Sequence, residues 1–238
     1  MALPQLNVTP KYTMTIPSLK KEVKFRPYLV KEEKVLLMAM ESQDSKAIIR
    51  ALTDTIEACI EEKDVDIKSL ATFDVEYLFM KIRAKSVGEF VDVKIKCSEC
   101  ETKNDYKVNV DEITLNVPVR DNVIKLTEEI SVEMKYPNYT DLSSLEVFSD
   151  NHQPSAKDVM TLAAKGISAI ITDNERYDVT DVTKQELDDF IDSLTSQQFQ
   201  MLNAFFEGMP QMKHEVKFNC SDCNHENNLT LQGLNDFF

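Results

Sequence analysis

Apolar and polar positions change their period several times along the chain. Tyr12-Thr-Met-Thr-Ile16 and Val23-Lys-Phe-Arg26 alternate, and Pro17-Ser-Leu-Lys20 between them supplies a turn, so a β-hairpin is expected at the start. Lys31 to Met40 and Lys46 to Ile60 read as helices, separated by the polar break Ser42-Gln-Asp-Ser45. Another helix follows Thr72, a fair N-cap, because Val75, Leu78, Phe79 and Ile82 recur on one helical face. After Gly88 the period falls to two: Val91, Val93 and Ile95 alternate into Cys97-Ser-Glu-Cys100, and Tyr106, Val108 and Val110 alternate out of it. That pattern predicts a hairpin with a Cys-x-x-Cys turn. Short strands are expected at Val123–Leu126 and Ile130–Tyr136, and a helical stretch from Asp141 to about Ile171 with Ser155 as a cap. Thr183-Lys-Gln-Glu186 and Thr195-Ser-Gln-Gln198 each open a helix, the second ending at Gly208 and Pro210. Val216 and Phe218, Cys220-Ser-Asp-Cys223, then Leu229 and Leu231 form a second cysteine-bearing hairpin.

The two cysteine regions read as copies of one unit. Cys97 and Cys220 lie 123 positions apart, and the same offset places Leu78 on Met201, Phe79 on Leu202 and Ile82 on Phe205. It also places Val93 on Val216, Ile95 on Phe218, Tyr106 on Leu229 and Val108 on Leu231. Each copy is then helix, strand, Cys-x-x-Cys, strand. On this reading the chain divides into an N-terminal hairpin and helical region (1–72), a first helix-and-hairpin unit with the strands after it (73–136), a helical insert (137–194) and a second unit (195–238), together forming one compact domain.

Zinc favours four ligands in a tetrahedron, and a Cys-x-x-Cys turn offers two thiolates on one side of it. Each hairpin alone would leave a metal half-ligated, so Cys97, Cys100, Cys220 and Cys223 are expected to share one structural Zn2+. The 119 residues between the pairs exceed the 15–20 of a compact zinc ribbon. Thiol–disulfide chemistry and free thiols are the competing readings, the former with no thioredoxin-like helix start after either pair. His225 could stand in for a ligand, and Cys59, beside Ile56 and Ile60, reads as a core residue.

Charge narrows the class of partner. The formal net charge is −14, and the one basic stretch, Lys20, Lys21, Lys24, Arg26, Lys31 and Lys34, is diluted by Glu22, Glu32 and Glu33. Nucleic-acid and anionic-membrane binders need clustered cations, so neither partner is expected. The N-terminus has no basic start or long apolar run and does not read as a signal peptide, which points to a reducing cytosol. No nucleophile elbow, phosphate loop, dinucleotide fingerprint or His-Glu-x-x-His occurs, so catalysis is not expected.

Lys31-Glu-Glu-Lys-Val-Leu-Leu-Met-Ala-Met-Glu-Ser42, Phe73-Asp-Val-Glu-Tyr-Leu-Phe-Met-Lys-Ile-Arg-Ala-Lys-Ser-Val-Gly-Glu89 and the ending Leu234-Asn-Asp-Phe-Phe238 resemble the T4-type bacteriophage baseplate hub assembly proteins, those of cyanophage-like members most closely. The resemblance runs along most of the chain and is most specific at 73–89. It implies a viral protein needed to build the central hub of a contractile tail baseplate, through contacts with hub or tail-tube initiation proteins. Its place would be the host cytoplasm during assembly, or the baseplate of the finished virion. The zinc expectation rests on cysteine spacing and not on the family.

The expected fold is α+β, mainly helical, with a small β region of two pseudo-equivalent Cys-x-x-Cys hairpins sharing one zinc. The expected function is a non-enzymatic interaction protein of phage tail assembly; a zinc-ribbon accessory of nucleic-acid machinery is the alternative. Val35 to Met40 is apolar around nearly the whole helix, so that helix is either fully buried or half core and half partner surface. Met38, Met40, Phe237 and Phe238 are the candidate contacts to a partner or to a second copy of the chain.

Overall fold

The computed structural model describes residues 9–111, 113, 115, 117, 121–142 and 155–233. In chain order the elements open with β1 (Tyr12–Ile16), β2 (Lys21–Phe25), α1 (Val30–Ser42), α2 (Ser45–Cys59), α3 (Thr72–Ser86), β3 (Phe90–Lys96) and β4 (Lys103–Asn109). Then come β5 (Val123–Lys125), β6 (Ile130–Met134), α4 (Tyr139–Leu142), α5 (Ala156–Gly166), β7 (Ile167–Thr172), β8 (Arg176–Asp178), α6 (Lys184–Asp192) and α7 (Ser196–Glu207). The chain closes with β9 (Lys213–Asn219) and β10 (Glu226–Gln232). Two units result: Met1–Asn116 with Pro210–Phe238, and Val117–Met209.

In the first unit α3 is buried on nearly every side, through Phe73, Val75, Leu78, Phe79, Met80 and Ile82. The β1–β2 hairpin puts Met14, Ile16, Val23 and Phe25 inside by simple alternation. Its turn is pinned to the start of α3: the Ser18 backbone N–H donates to Asp74 Oδ1 at 2.9 Å, and the Ser18 hydroxyl donates to Oδ2. Burial pushes the Asp74 carboxyl above the usual carboxylate range, although those donors pull it down. β3–β4 and β9–β10 are separate two-stranded antiparallel sheets. They share one apolar cluster with α3, in which Val91, Ile95 and Val108 of the first hairpin meet Val216 and Leu231 of the second, with Met80 and Ala84 of α3.

The second unit is built on an antiparallel sheet of order β5-β6-β7-β8. Val132, Met134 and Ile167 from the sheet pack with Leu187 and Ile191 of α6 and Leu202 and Phe205 of α7. Tyr136 stacks on Phe205 with ring centroids 5.0 Å apart. Thr183 and Thr195 each cap their helix with the reciprocal side-chain bonds of a capping box, as their sequences indicate.

The expectation of a mainly helical chain with a small β region is corrected here. Among the described residues 39% are helical and 28% lie in strands, which form four separate sheets. The largest departure is in the stretch from Asp141 to about Ile171, expected as helical: its end folds as β7, and residues 143–154 lie outside the described residues. α5 ends at Gly166, where an added Cβ would run into the Phe206 ring. The segment Ile167 to Thr172, four of whose six residues are β-branched, then pairs along β6 on one side and β8 on the other. β-Branched side chains fit a pleated, half-buried surface, and two neighbouring strands supply it.

Candidate metal centre

Each Cys-x-x-Cys turn is a tight knuckle closed by its own backbone. Cys97 N–H donates to Thr102 O at 2.9 Å, and Glu101 N–H to Cys97 O at 3.0 Å. The second knuckle repeats both bonds, Cys220 N–H to His225 O at 2.8 Å and Asn224 N–H to Cys220 O at 3.0 Å. Glu101 and Asn224 close the turns with φ of 59° and 58°, left-handed backbone that asparagine tolerates better than glutamate.

The two knuckles face each other. Cys97 Sγ lies 3.7 Å from Cys223 Sγ, Cys100 Sγ lies 3.6 Å from Cys220 Sγ, and all four sulfurs fall within 4.8 Å of one another. A zinc–sulfur bond of about 2.3 Å gives a tetrahedron with edges of about 3.8 Å, so the four sulfurs are spaced to surround one ion. Disulfide bonding needs about 2.05 Å, and all four thiols are free. Cys97 and Cys220 are buried, Cys100 is half-buried and Cys223 is exposed. Four thiolates complete a tetrahedral shell and leave no position for water, so such a centre would be structural.

Electrostatics favours thiolate at the two buried positions. The backbone N–H of Cys100, with those of Glu99 and the Asn227 side chain, pulls the Cys97 thiol down to about 6 against the cost of burial. Cys220 is likewise lowered, first by the backbone N–H of Cys223 and then by that of Asp222. At Cys223 the backbone N–H of His225 also lowers the thiol. The neighbouring thiols of Cys100, Cys220 and Cys97, with desolvation, outweigh it and push Cys223 up to about 12. A divalent cation at the centre of the four would favour the thiolate at every one of them.

Two buried asparagines bridge the hairpins. Asn104 Oδ1 accepts from Ser221 N–H at 2.8 Å and from its hydroxyl at 2.9 Å; Asn227 Oδ1 accepts from Ser98 N–H at 2.9 Å and its hydroxyl at 3.0 Å. Local sequence around these four residues assigns them no role. The signal was present: the 123-residue offset that aligns the cysteines also sets Ser98 on Ser221 and Asn104 on Asn227, identical residues both times.

That offset holds for the hairpins to the residue, since β3 and β4 shifted by 123 become β9 and β10. The preceding helices share it in part: Phe79 and Ile82 are buried on α3, and their counterparts Leu202 and Phe205 are buried on α7. Leu78 is fully buried in the first unit, whereas Met201, its counterpart on α7, is 39% exposed in the second. The fifth cysteine, Cys59, is buried on α2, and burial pushes its thiol up to about 11.

Of the four expected partner contacts, Met38 and Met40 are 60% and 49% exposed on α1, while Phe237 and Phe238 lie outside the described residues. The helix is therefore not fully buried; it turns Glu32 and Ala39 inward and leaves Val35, Leu37, Met38 and Met40 exposed. Among the described residues, no helix is long and apolar enough to cross a membrane.

No curated protein and no solved structure matches the chain. A family model described as T4 bacteriophage base plate protein matches residues 9–238. The chain belongs to that T4 bacteriophage base plate protein family.

Proposed function

We propose that this baseplate protein is a non-enzymatic component of central-hub assembly that works through protein–protein contacts, with its four cysteines holding one structural Zn2+. The family match over residues 9–238 is the observation that carries the baseplate reading. The metal reading is supported by the chemistry of the donor set, since four thiolates at tetrahedral spacing suit zinc above harder cations. In this role the ion staples two hairpins that each have only two strands, and such hairpins are marginal alone in water. Elemental analysis of protein made under reducing conditions should return one zinc per chain; iron, or no metal, would overturn that half of the reading.

The contact surface we favour is α1 with the loop before it. Leu29, Val30, Val35, Leu37, Met38 and Met40 are all exposed there, a density of bare apolar side chains found nowhere else among the described residues. α1 itself carries Lys31 and Lys34 against Glu32, Glu33 and Glu41, so its apolar side chains and not its charge mark the face. An exposed apolar face of this kind fits a partner with apolar pockets, and a hub or tail-tube initiation protein of the same baseplate is the occupant we assign. Substituting both Leu37→Glu and Met38→Glu should change stability by no more than about 0.5 kcal/mol per site while abolishing binding to purified hub and tail-tube initiation proteins of the same phage. Retained binding, or self-association lost in its place, would overturn the assignment. Made in the host cytoplasm, the protein would be found in purified particles by mass spectrometry if it stays with the hub.

A further inference from the structure

The geometry points to Asn104 and Asn227 as positioning residues of the metal centre, each reaching from its own hairpin to hold the opposite Cys-x-x-Cys knuckle. The inference rests on the tetrathiolate reading above and adds to it a reason why the two knuckles stay aligned.

Each amide uses both of its ends. Asn104 Nδ2 donates to Thr102 O in its own hairpin at 2.9 Å, and Asn227 Nδ2 donates to His225 O at 3.0 Å. These bonds fix which end of each amide is nitrogen and which is oxygen. The oxygen then accepts the backbone N–H and the hydroxyl of the opposite serine, two donors on two lone pairs. The second Nδ2 proton points at the opposite buried sulfur, Cys220 Sγ at 3.6 Å from Asn104 and Cys97 Sγ at 3.5 Å from Asn227. Only an amide meets this set of demands. Aspartate keeps the acceptor but loses both donors and sets a negative charge beside a thiolate; alanine loses everything.

Both amides are almost fully buried, 7% and 2% exposed, where an unmade hydrogen bond is costly. The two bridges are reciprocal, so they hold the hairpins in register independently of any ion. The metal then meets knuckles that are already paired, and each buried thiolate keeps an N–H donor that tempers its charge. Groups of this kind around a metal's ligands typically alter affinity by about 10–100-fold when removed.

The test compares Asn104→Asp, Asn227→Asp and the double variant with wild type, loaded with Zn2+ and with Co2+. Zinc affinity, measured by competition with a chromophoric chelator, should fall about 10–100-fold in each single variant, by similar amounts in the two, and further in the double. The sulfur-to-Co2+ charge-transfer band should move to longer wavelength, because a thiolate that loses an N–H donor gives up its electron more easily; altered packing alone would not shift it. Ser98→Ala and Ser221→Ala keep the backbone bond and should lose less. In metal-free wild type, the amide protons of Ser98 and Ser221 should resist hydrogen exchange; free exchange would overturn the inference even if an Asp variant failed to fold. Unchanged affinity and spectrum in the variants would overturn it while leaving the zinc site standing. A wild type that takes up neither Zn2+ nor Co2+ would remove the metal reading and this inference together.

Discussion

The second cysteine hairpin, β9–β10, repeats β3–β4 in strand limits, turn geometry and bridging side chains, whereas α3 and α7, at the same offset, repeat only part of their buried face. The difference follows from what each element touches. The hairpins face each other, so a side chain that serves one knuckle is matched by one that serves the other: cysteine against cysteine, serine against asparagine in both directions. α3 and α7 face different cores. α3 is apolar nearly all round and buried, while α7 turns Leu202 and Phe205 into the second unit's core and leaves Met201 half in solvent. Mutual contact keeps a repeat readable; separate surroundings let it fade.

The sharpest way to break the symmetry is at the sulfurs. Cys97→Ser and Cys220→Ser should each take the bound zinc from one per chain to none, with the largest loss of stability of any change considered, since structural zinc supplies about 10–16 kcal/mol to zinc-finger peptides. The two should be equal within error in metal content and denaturation midpoint; a clear inequality would show that the halves are not equivalent. Next come the helices, where the opposite result is expected. Ile82→Ala should cost about 2–5 kcal/mol and Phe205→Ala about 3–5 kcal/mol, both from buried positions. Hydrogen exchange should rise in the first unit for Ile82→Ala and in the second for Phe205→Ala; one shared pattern would refute the division of the helices between two units. The smallest effect tests where the hairpins themselves differ. Glycine at Glu101 should relieve a left-handed φ and stabilise by about 0.5 kcal/mol after the entropic cost of glycine, while Asn224→Gly should change little, both read from chemical denaturation.

Much of the site was legible because its signals are short-range. Two thiolates in a four-residue turn, strands that alternate on either side, and a Thr with Glu or Gln three places on are all contained in neighbouring residues. Ser155, Thr183 and Thr195 cap the helices that their local sequences announce. The bridging asparagines were legible in principle but only as part of a pair, since one asparagine after a Cys-x-x-Cys turn has no special meaning until its counterpart is set beside it.

The sequence by itself determined the two cysteine pairs, the hairpin registers implied by alternation, and most helix starts, because hydrogen-bonding and burial patterns of these elements repeat over two to four residues. Tertiary structure decided the rest. Ile167 to Thr172 became a strand because β6 and β8 lie alongside it, an arrangement that also lets the Ser168 hydroxyl donate to Glu133 O, 35 residues back in the chain. α1 kept Leu37, Met38 and Met40 in solvent although its sequence suits burial, since exposure depends on what packs over a helix and not on the helix. The two cysteine pairs, with 119 residues between them, met because two hairpins share one core and two asparagines bridge them. Local periodicity cannot encode such meetings, because they are set by surfaces that exist only once the chain has folded.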